Sequence, residues 1–255
     1  MPRLSGKFVW FECVTSEVSK AKAFYGEVIG WKTQPFPMGK ETYEMLAVGE
    51  TPVGGYASPE DAAGAAGPSH WTSYVSVDEV DATVKKVVAE GGALLQEPFD
   101  VPEVGRMARV ADPQGATFWL MSGHDGNDAP DVPPVQGHFN WNELWARDGA
   151  SAVRFYEKVL GYTSKQTAMP DGGTYHVLEK DGVPRAGVMT SPMPKVPPMW
   201  LPYVAVDDCD AAVARAVKHG GAAHVPPTDI PDVGRFAILA DTNGARFGVL
   251  KPAAG

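Results

Sequence analysis

Two glutamates occupy equivalent positions in a strand-like stretch that the 255-residue chain contains twice. Glu12 lies in WFEC (10–13), and Glu143 lies in WNEL (141–144). Each follows a tryptophan by two positions, so strand alternation places carboxylate and indole on one face. A carboxylate among aromatic rings could act as a general base or could anchor a cationic or hydroxyl group, and we take both glutamates as candidate catalytic residues. The alternative is a structural carboxylate that accepts hydrogen bonds from backbone N–H groups or pairs with an arginine.

The same alternation predicts further aromatic side chains on the face that carries these carboxylates. Apolar pockets with a few polar groups bind small aromatic or amphipathic molecules, although tryptophan also fills cores. The aromatic candidates for ligand binding are Trp10, Tyr74, Trp119, Trp141, Trp145 and Tyr203. His70 and Thr72 share a strand face with Tyr74 and could hydrogen-bond to a ligand. A histidine near a loop is also commonly just solvated, so both interpretations of His70 stay open.

A longer repeated segment contains two arginines. Residues 100–118 read DVPEVGRMARVADPQGATF, residues 229–247 read DIPDVGRFAILADTNGARF, and 11 of the 19 positions match. Arg106 and Arg235 each begin a strand and could bind an anionic ligand, because a planar guanidinium suits a carboxylate. The other interpretation is a salt bridge, with partners expected among Glu103, Asp112, Asp232 and Asp241. DPQG is typical of a turn in which the aspartate caps its own backbone.

The matching segments indicate that one unit was built twice. AFYGEVIGW (23–31) returns as RFYEKVLGY (154–162). Within each half, strand-like and helical runs alternate in the order βαβββ, twice over. The apolar helix faces predicted for the first half are Val18, Ala21, Tyr25 and Val28, then Val80, Val84, Val87 and Val88.

The repeat also predicts the domain boundaries. We expect a first domain at 1–122 and a second domain at 138–255. Between them, residues 123–137 are rich in Gly, Pro and Asp and lack periodicity, which predicts a linker.

Composition limits the classes of partner and the location. A net charge of −9 argues against nucleic acid and anionic membranes, which need clustered Lys and Arg. The chain has no apolar run of roughly 18 residues and no charged-then-apolar N-terminus, so we expect neither a membrane span nor a signal peptide. Cys13 and Cys209 are far apart and form no CxxC motif, which suits a reducing cytoplasm. We expect a cytoplasmic monomer or homodimer with a small-molecule ligand.

The chain resembles the vicinal oxygen chelate superfamily in its element order, βαβββ–βαβββ. The segment FY…GW around the first helix and the segment DPQG before the last strand also resemble that superfamily. This superfamily includes the glyoxalases, bleomycin-resistance proteins and extradiol dioxygenases. The resemblance covers both halves and is closest to tandem bacterial proteins of the glyoxalase or hydroxylase type. It implies an α+β fold in which two βαβββ modules form a curved, mixed eight-stranded sheet with the helices outside.

Members of this superfamily usually hold a divalent metal with His, Gln or Glu side chains. Three of these ligand positions can be assigned, and they hold Trp10, Thr72 and Trp119 in the first half and Trp141, Leu201 and Gly248 in the second. Indole is a poor ligand because its nitrogen is only a donor. We therefore expect neither a metal site of the family type nor a cofactor.

Three functions follow as hypotheses. The first is a metal-free protein that sequesters or carries a small, partly aromatic molecule, in the manner of the drug-binding members. The second is an enzyme of the glyoxalase, lyase or isomerase type that acts on a small oxo substrate with a glutamate as base. The third is an interaction module whose second half is only structural.

Overall fold

The computed structural model describes residues 5–38, 41–59, 68–123, 131, 133, 135–169 and 172–253. The elements of the first half are β1 (Phe8–Val14), α1 (Val18–Val28), β2 (Lys32–Met38), β3 (Glu41–Val48), β4 (Thr51–Ala57), β5 (His70–Ser76), α2 (Val80–Ala89), β6 (Ala93–Val101), β7 (Gly105–Ala111) and β8 (Thr117–Gly123). The elements of the second half are β9 (Phe139–Ala146), α3 (Gly149–Leu160), β10 (Thr163–Ala168), β11 (Thr174–Lys180), β12 (Val183–Thr190), β13 (Met199–Ala205), α4 (Cys209–Lys218), β14 (Ala222–Ile230), β15 (Gly234–Ala240) and β16 (Arg246–Pro252).

The strands form two eight-stranded mixed sheets, each from one half of the chain. Their strand orders are β2-β3-β4-β1-β5-β8-β7-β6 and β10-β11-β12-β9-β13-β16-β15-β14. In both sheets the pairs β1–β4, β5–β8, β9–β12 and β13–β16 are parallel, and the pairs between consecutive strands are antiparallel. The predicted α+β fold with two βαβββ modules per sheet is confirmed.

The helices follow the predicted periodicity except at Val18, which is half-buried, and at Val88. Helix α1 buries Ala21, Phe24, Tyr25 and Val28, and helix α2 buries Val80, Thr83, Val84 and Val87. Val88 was predicted on the buried face but is 52% exposed, because the helix face continues from Val84 to Val87 and turns the next residue outward. Helix α3 ends at Gly161, whose φ of 68° is left-handed and favours glycine.

The chain packs as two compact units, and each takes one βαβββ module from each half. Unit 1 comprises Met1–Trp10, Thr72–Asp131 and Trp141–Leu201, and unit 2 comprises Phe11–Trp71, Val132–Asn140 and Pro202–Gly255. Most of the predicted linker, at 124–130, 132 and 134, lies outside the described residues. In its described part, the carbonyl oxygen of Gly137 accepts a 2.7 Å hydrogen bond from Trp31 Nε1 within unit 2.

A buried hydrogen-bonded triad recurs in the core of each unit. In unit 2 the Tyr25 hydroxyl accepts from Trp71 Nε1 at 2.8 Å and donates to Asp241 Oδ2 at 3.2 Å. In unit 1, by the same pattern, Tyr156 accepts from Trp200 at 3.1 Å and donates to Asp112 at 3.2 Å. Each triad therefore joins the tyrosine of one half to the aspartate of the other.

The two aspartates also organise the turns that precede the last strand of each half. Asp112 Oδ1 accepts from the backbone N–H groups of Gln114 and Ala116, and Asp241 does the same in its own turn. The predicted capping role of the DPQG aspartate is confirmed. Burial raises the pKa of both aspartates, and the donated N–H groups oppose this shift.

Candidate functional site

In unit 2, the Glu12 carboxylate is buried on β1 and hydrogen-bonded to a tyrosine from β3. The Tyr43 hydroxyl donates to Glu12 Oε1 at 2.6 Å. Glu12 pairs with Gly55 on the parallel strand β4. A Cβ at Gly55 would overlap the Tyr43 hydroxyl. The absence of a side chain at this position therefore gives the phenol the space that it needs to reach the carboxylate.

In unit 1, Glu143 is buried within a larger version of this arrangement. Tyr175 donates to Glu143 Oε2 at 2.8 Å, and Trp145 Nε1 donates to Oε1 at 2.7 Å. Trp141 Nε1 in turn donates to the Tyr175 hydroxyl at 2.8 Å. We call Trp141, Glu143, Trp145 and Tyr175 the Glu143 network. Gly187, which pairs with Glu143 on β12, again leaves room for the tyrosine hydroxyl.

The Glu143 network is joined by three hydrogen bonds and carries a phenol that stays protonated. Burial and the nearby Glu143 raise the pKa of Tyr175 well above its ordinary value. Trp141 and Tyr175 are half-buried, whereas Trp145 is only 2% exposed. The network can therefore present an indole edge and a phenol to a ligand, with the carboxylate holding both in place.

The sequence indicated part of these arrangements. It placed Trp141, Glu143 and Trp145 on one face, as the structure has them. It did not identify the two tyrosines and two glycines, although their signal was present in the repeat. The tyrosines open the matching segments YEML (43–46) and YHVL (175–178), and the glycines recur at the same spacing of 132 residues.

A cluster of aromatic and apolar side chains also brings predicted ligand-binding residues together in unit 1. The rings of Tyr74 and Trp119 are stacked, with centroids 5.2 Å apart and planes inclined by 3°. Met107 completes the buried part, and Trp10 and Phe99 are half-buried against it. We call these five residues the aromatic wall. Tyr74 and Trp119 are only 5% and 3% exposed, so the accessible rings of the wall are those of Trp10 and Phe99.

The corresponding strands of the second half have a different surface. Tyr203 lies over Gly248, which occupies the position of Trp119, and a Cβ at that glycine would overlap the Tyr203 ring. Tyr203 also contacts Phe236, with ring centroids 6.5 Å apart. The second half therefore retains the tyrosine of the stacked pair but has no ring at the tryptophan position.

His70 and Thr72 lie on β5 as predicted. His70 is half-buried, and its Nδ1 lies 3.0 Å from the Pro68 carbonyl oxygen. Thr72 is 3% exposed, and its hydroxyl has no hydrogen-bond partner among the described residues. A role of either residue in ligand binding stays a prediction.

The two arginines of the repeated segment form surface salt bridges, but the predicted partners were wrong. Arg106 pairs through two hydrogen bonds with Asp81 and also contacts Asp100 at 3.1 Å. Asp112 is unsuitable as its partner because the turn and Tyr156 already occupy that carboxylate. These ion pairs lower the pKa of Asp81 and raise that of Arg106. The same arrangement recurs in the second half among Arg235, Asp210 and Asp229.

The residues at the assigned metal positions are poor ligands for a divalent ion. Indole nitrogens are donors, and the aliphatic side chain and the glycine offer no ligand atom, which leaves the Thr72 hydroxyl as the sole side-chain oxygen of the set. Among the residues that the structure describes, no group of three or more His, Cys, Asp or Glu side chains could hold a metal ion. In the same part of the chain, no helix is long and apolar enough to cross a membrane.

The fold and its repetition agree with comparison to known proteins. The sequence model of the Glyoxalase/Bleomycin resistance protein/Dioxygenase superfamily matches residues 7–120 and again 136–249. The chain belongs to this superfamily and contains its domain twice.

Relatives along the whole chain have been assigned to different processes. A Mycobacterium tuberculosis protein with the provisional name glyoxylase CFP32 is 39% identical over 248 residues, which cover 96% of this chain and 94% of the relative. The anthracycline biosynthesis protein DnrV of Streptomyces peucetius is 35% identical over 264 residues, covering 96% and 93%. The Mn(II)-bound glyoxalase of Novosphingobium aromaticivorans has the same fold, with a TM-score of 0.66 at 17% identity, covering 99% of this chain and 85% of the other.

Proposed function

We propose that the protein binds a small, partly aromatic molecule at the aromatic wall of unit 1. The observation that carries this proposal is the stacked Tyr74–Trp119 pair, covered by the half-buried rings of Trp10 and Phe99. Trp10 and Phe99 are held in place by this packed pair and lose little conformational freedom when a further ring binds against them, so the surface is preorganised for an aromatic ligand.

The relatives support a ligand of this kind. One is named for anthracycline biosynthesis, and an anthracycline is a fused-ring aromatic compound. The superfamily description also includes bleomycin resistance, and we propose sequestration or carriage as the mode of action. The two cysteines are buried thiols, which is compatible with the cytoplasmic location that we propose.

The binding proposal is tested by calorimetric titration with a library of fused-ring phenols, quinones and aromatic acids. Trp10→Ala should weaken binding of any ligand that contacts the wall. Phe236→Ala is the control, because it removes a half-buried ring of the second half that lies outside the wall. A library without a single binder, or a binder whose affinity is insensitive to Trp10→Ala, would contradict binding at this wall.

We also propose that this binding needs no metal at the superfamily position. The reason is the chemistry of the side chains there, which in both halves offer almost no ligand atoms for a divalent ion. Elemental analysis of the dialysed protein should find zinc, nickel, iron and manganese below stoichiometric amounts. A stoichiometric metal that is lost when Glu12 or Glu143 is replaced by Gln would overturn this part of the proposal.

A second candidate function is a lyase or isomerase of the glyoxalase type. It is favoured by the buried Glu12 and Glu143, each hydrogen-bonded to a tyrosine, and by the name of the 39% identical relative. A base of this kind would take a proton from the carbon next to the carbonyl group of a small oxo substrate. Turnover of the methylglyoxal–thiol adduct that disappears in the Glu12→Gln, Glu143→Gln double variant would support it. A wild-type protein without measurable turnover would exclude this reaction.

A further inference from the structure

Two basic side chains lie near one end of the second-half sheet, within unit 2. Arg246 begins β16 and pairs with Ala240 on β15, and Ala240 pairs with Ala222, the first residue of β14. Directly opposed residues of neighbouring strands share one face of a sheet. His224 lies two residues further along β14, where the register of β14 and β15 shifts. We call His224 and Arg246 the basic pair.

The basic pair has no acidic partner in the described part of the chain. Within the described ranges, the Nε atom of Arg246 is buried without a hydrogen-bond partner, and neither Arg246 nor His224 forms an ion pair. By contrast, Arg106, Arg185 and Arg235 each pair with an aspartate. The chain contains 31 acidic residues and only 22 lysines and arginines, so a shortage of carboxylates does not explain the arrangement.

The two members of the pair repel each other when both are charged. Partial burial lowers the pKa of His224, and the positive charge of Arg246 lowers it further. Like charges at short range cost free energy, and an anion bound by both groups would replace their repulsion with attraction. Because Arg246 is half-buried and His224 is exposed, such an anion can approach from solvent.

The first half has neither basic group. At the spacing of 129 residues that relates this part of the two halves, Thr117 corresponds to Arg246 and Leu95 corresponds to His224. The strand order is the same in both sheets, so the fold does not require either basic side chain. The basic pair therefore distinguishes the second half from the first.

We propose that the basic pair is a second ligand site, which binds the phosphate or carboxylate group of a small molecule. The site lies in unit 2 and does not depend on the aromatic binding proposed for unit 1. The guanidinium of Arg246 would donate two parallel hydrogen bonds to two oxygens of the anionic group. An N–H group of the His224 imidazole would donate a third. Phosphate and carboxylate share this chemistry, so the test includes both.

The test follows the NMR signals of the histidine imidazoles during titration with inorganic phosphate, acetate and the neutral acetamide at constant ionic strength. The variant His224→Leu, which introduces the first-half residue, identifies the His224 signal by its absence. Phosphate or acetate should shift this signal saturably, whereas acetamide should not. The anion that binds more tightly identifies the group that the ligand carries.

Three variants locate the bound anion. Arg246→Thr, which introduces the first-half residue, should weaken binding about 10-fold or more, because charge-assisted hydrogen bonds are lost. Arg246→Lys keeps the charge but not the planar fork, so it should retain part of the affinity. Arg154→Thr is the matched control, because it removes an exposed arginine of α3 and makes the same change in net charge, and it should leave binding unchanged. Circular dichroism of each variant checks that the fold is kept.

The outcomes that contradict this inference are specific to the basic pair. A His224 signal that neither anion shifts, or anion binding that survives Arg246→Thr, would overturn it. Equal weakening by Arg246→Thr and Arg154→Thr would also overturn it, because the net charge of the chain would then explain the binding. Aromatic binding in unit 1 is tested separately by Trp10→Ala, so either proposal can fail while the other stands.

Discussion

The triad around Tyr25 allows a quantitative test of what holds unit 2 together. The variant Tyr25→Phe removes one oxygen atom and leaves the ring, which contacts Trp31, Trp71 and Phe247, in place. Trp71 Nε1 would lose its acceptor, and Asp241 Oδ2 would lose its donor, both in the buried interior.

The magnitude follows from these two losses. A buried polar group left without a partner costs about 1–3 kcal/mol. Asp241 retains two backbone donors on its other oxygen, so its share lies at the low end. We expect the free energy of unfolding to fall by about 2–4 kcal/mol.

The assay is urea denaturation followed by circular dichroism, with two comparison variants. Tyr56→Phe is the matched control, because Tyr56 is also buried in unit 2 and its hydroxyl has no hydrogen-bond partner in the described part of the chain. This control should be neutral or slightly stabilising. Tyr156→Phe, in the equivalent triad of unit 1, should reproduce the loss. Similar unfolding free energies for Tyr25→Phe and Tyr56→Phe would refute the reasoning.

Three further predictions concern the turns and the glycine of the second half. Gly187→Ala should lower the free energy of unfolding by about 1–3 kcal/mol, because the new Cβ would displace the tyrosine hydroxyl that it overlaps. Gly26→Ala on α1 adds a Cβ at an ordinary contact distance of 3.6 Å from the Trp31 carbonyl oxygen, so it should be neutral or stabilising in the same denaturation assay. Because burial raises the pKa of Asp241, the folded state binds its proton more tightly than the unfolded state. As the pH falls through the pKa of Asp241 in the folded state, the free energy of unfolding of the wild type should therefore rise relative to that of Asp241→Asn. A difference between the two proteins that does not change with pH would contradict this. Gln114→Ala should lower the free energy of unfolding by about 1–2 kcal/mol, because the Gln114 amide makes three hydrogen bonds to backbone groups just before α3. Asn243→Ala, at the equivalent position, should lower it less, because Asn243 Nδ2 has no hydrogen-bond partner among the described residues.

Much of the fold could be predicted from the sequence because its signals are local. The FY tyrosines fall on the buried faces of α1 and α3, and the glycines that follow them stop each helix, as helical spacing indicates. The pairing of Tyr25 with Asp241 could not be predicted in this way. It joins residues 216 positions apart, and only the packing of one half's module with the other's in unit 2 brings them together.

Strand alternation predicts which side chains of one strand share a face, and this part of the candidate site could be predicted from the sequence. The contacts between strands depend on their register, which the sequence does not specify. Alternation alone places Trp141 with Glu143. The reach of Tyr175 to that carboxylate depends on the pairing of β11 with β12, which shifts at a bulge between Leu178 and Glu179. The partners of Arg106 depend likewise on where α2 lies over the sheet.

The comparison of the two halves separates residues that serve the scaffold from residues that serve a ligand. Each triad takes its tyrosine from one half and its aspartate from the other, so loss of either motif in one half would damage a unit that contains both. The motifs are therefore retained twice. The row of paired residues Gln96, Arg109, Trp119 and Tyr74 on neighbouring strands has no such link, because all four members come from the first half. It was free to diverge, and the second half keeps the tyrosine but fills the other three positions with Val225, Ile238 and Gly248. The stacked Tyr74–Trp119 pair therefore has no counterpart in the second half and is not a requirement of the fold, which is why substitutions at the aromatic wall test ligand binding whereas substitutions in the triads test stability.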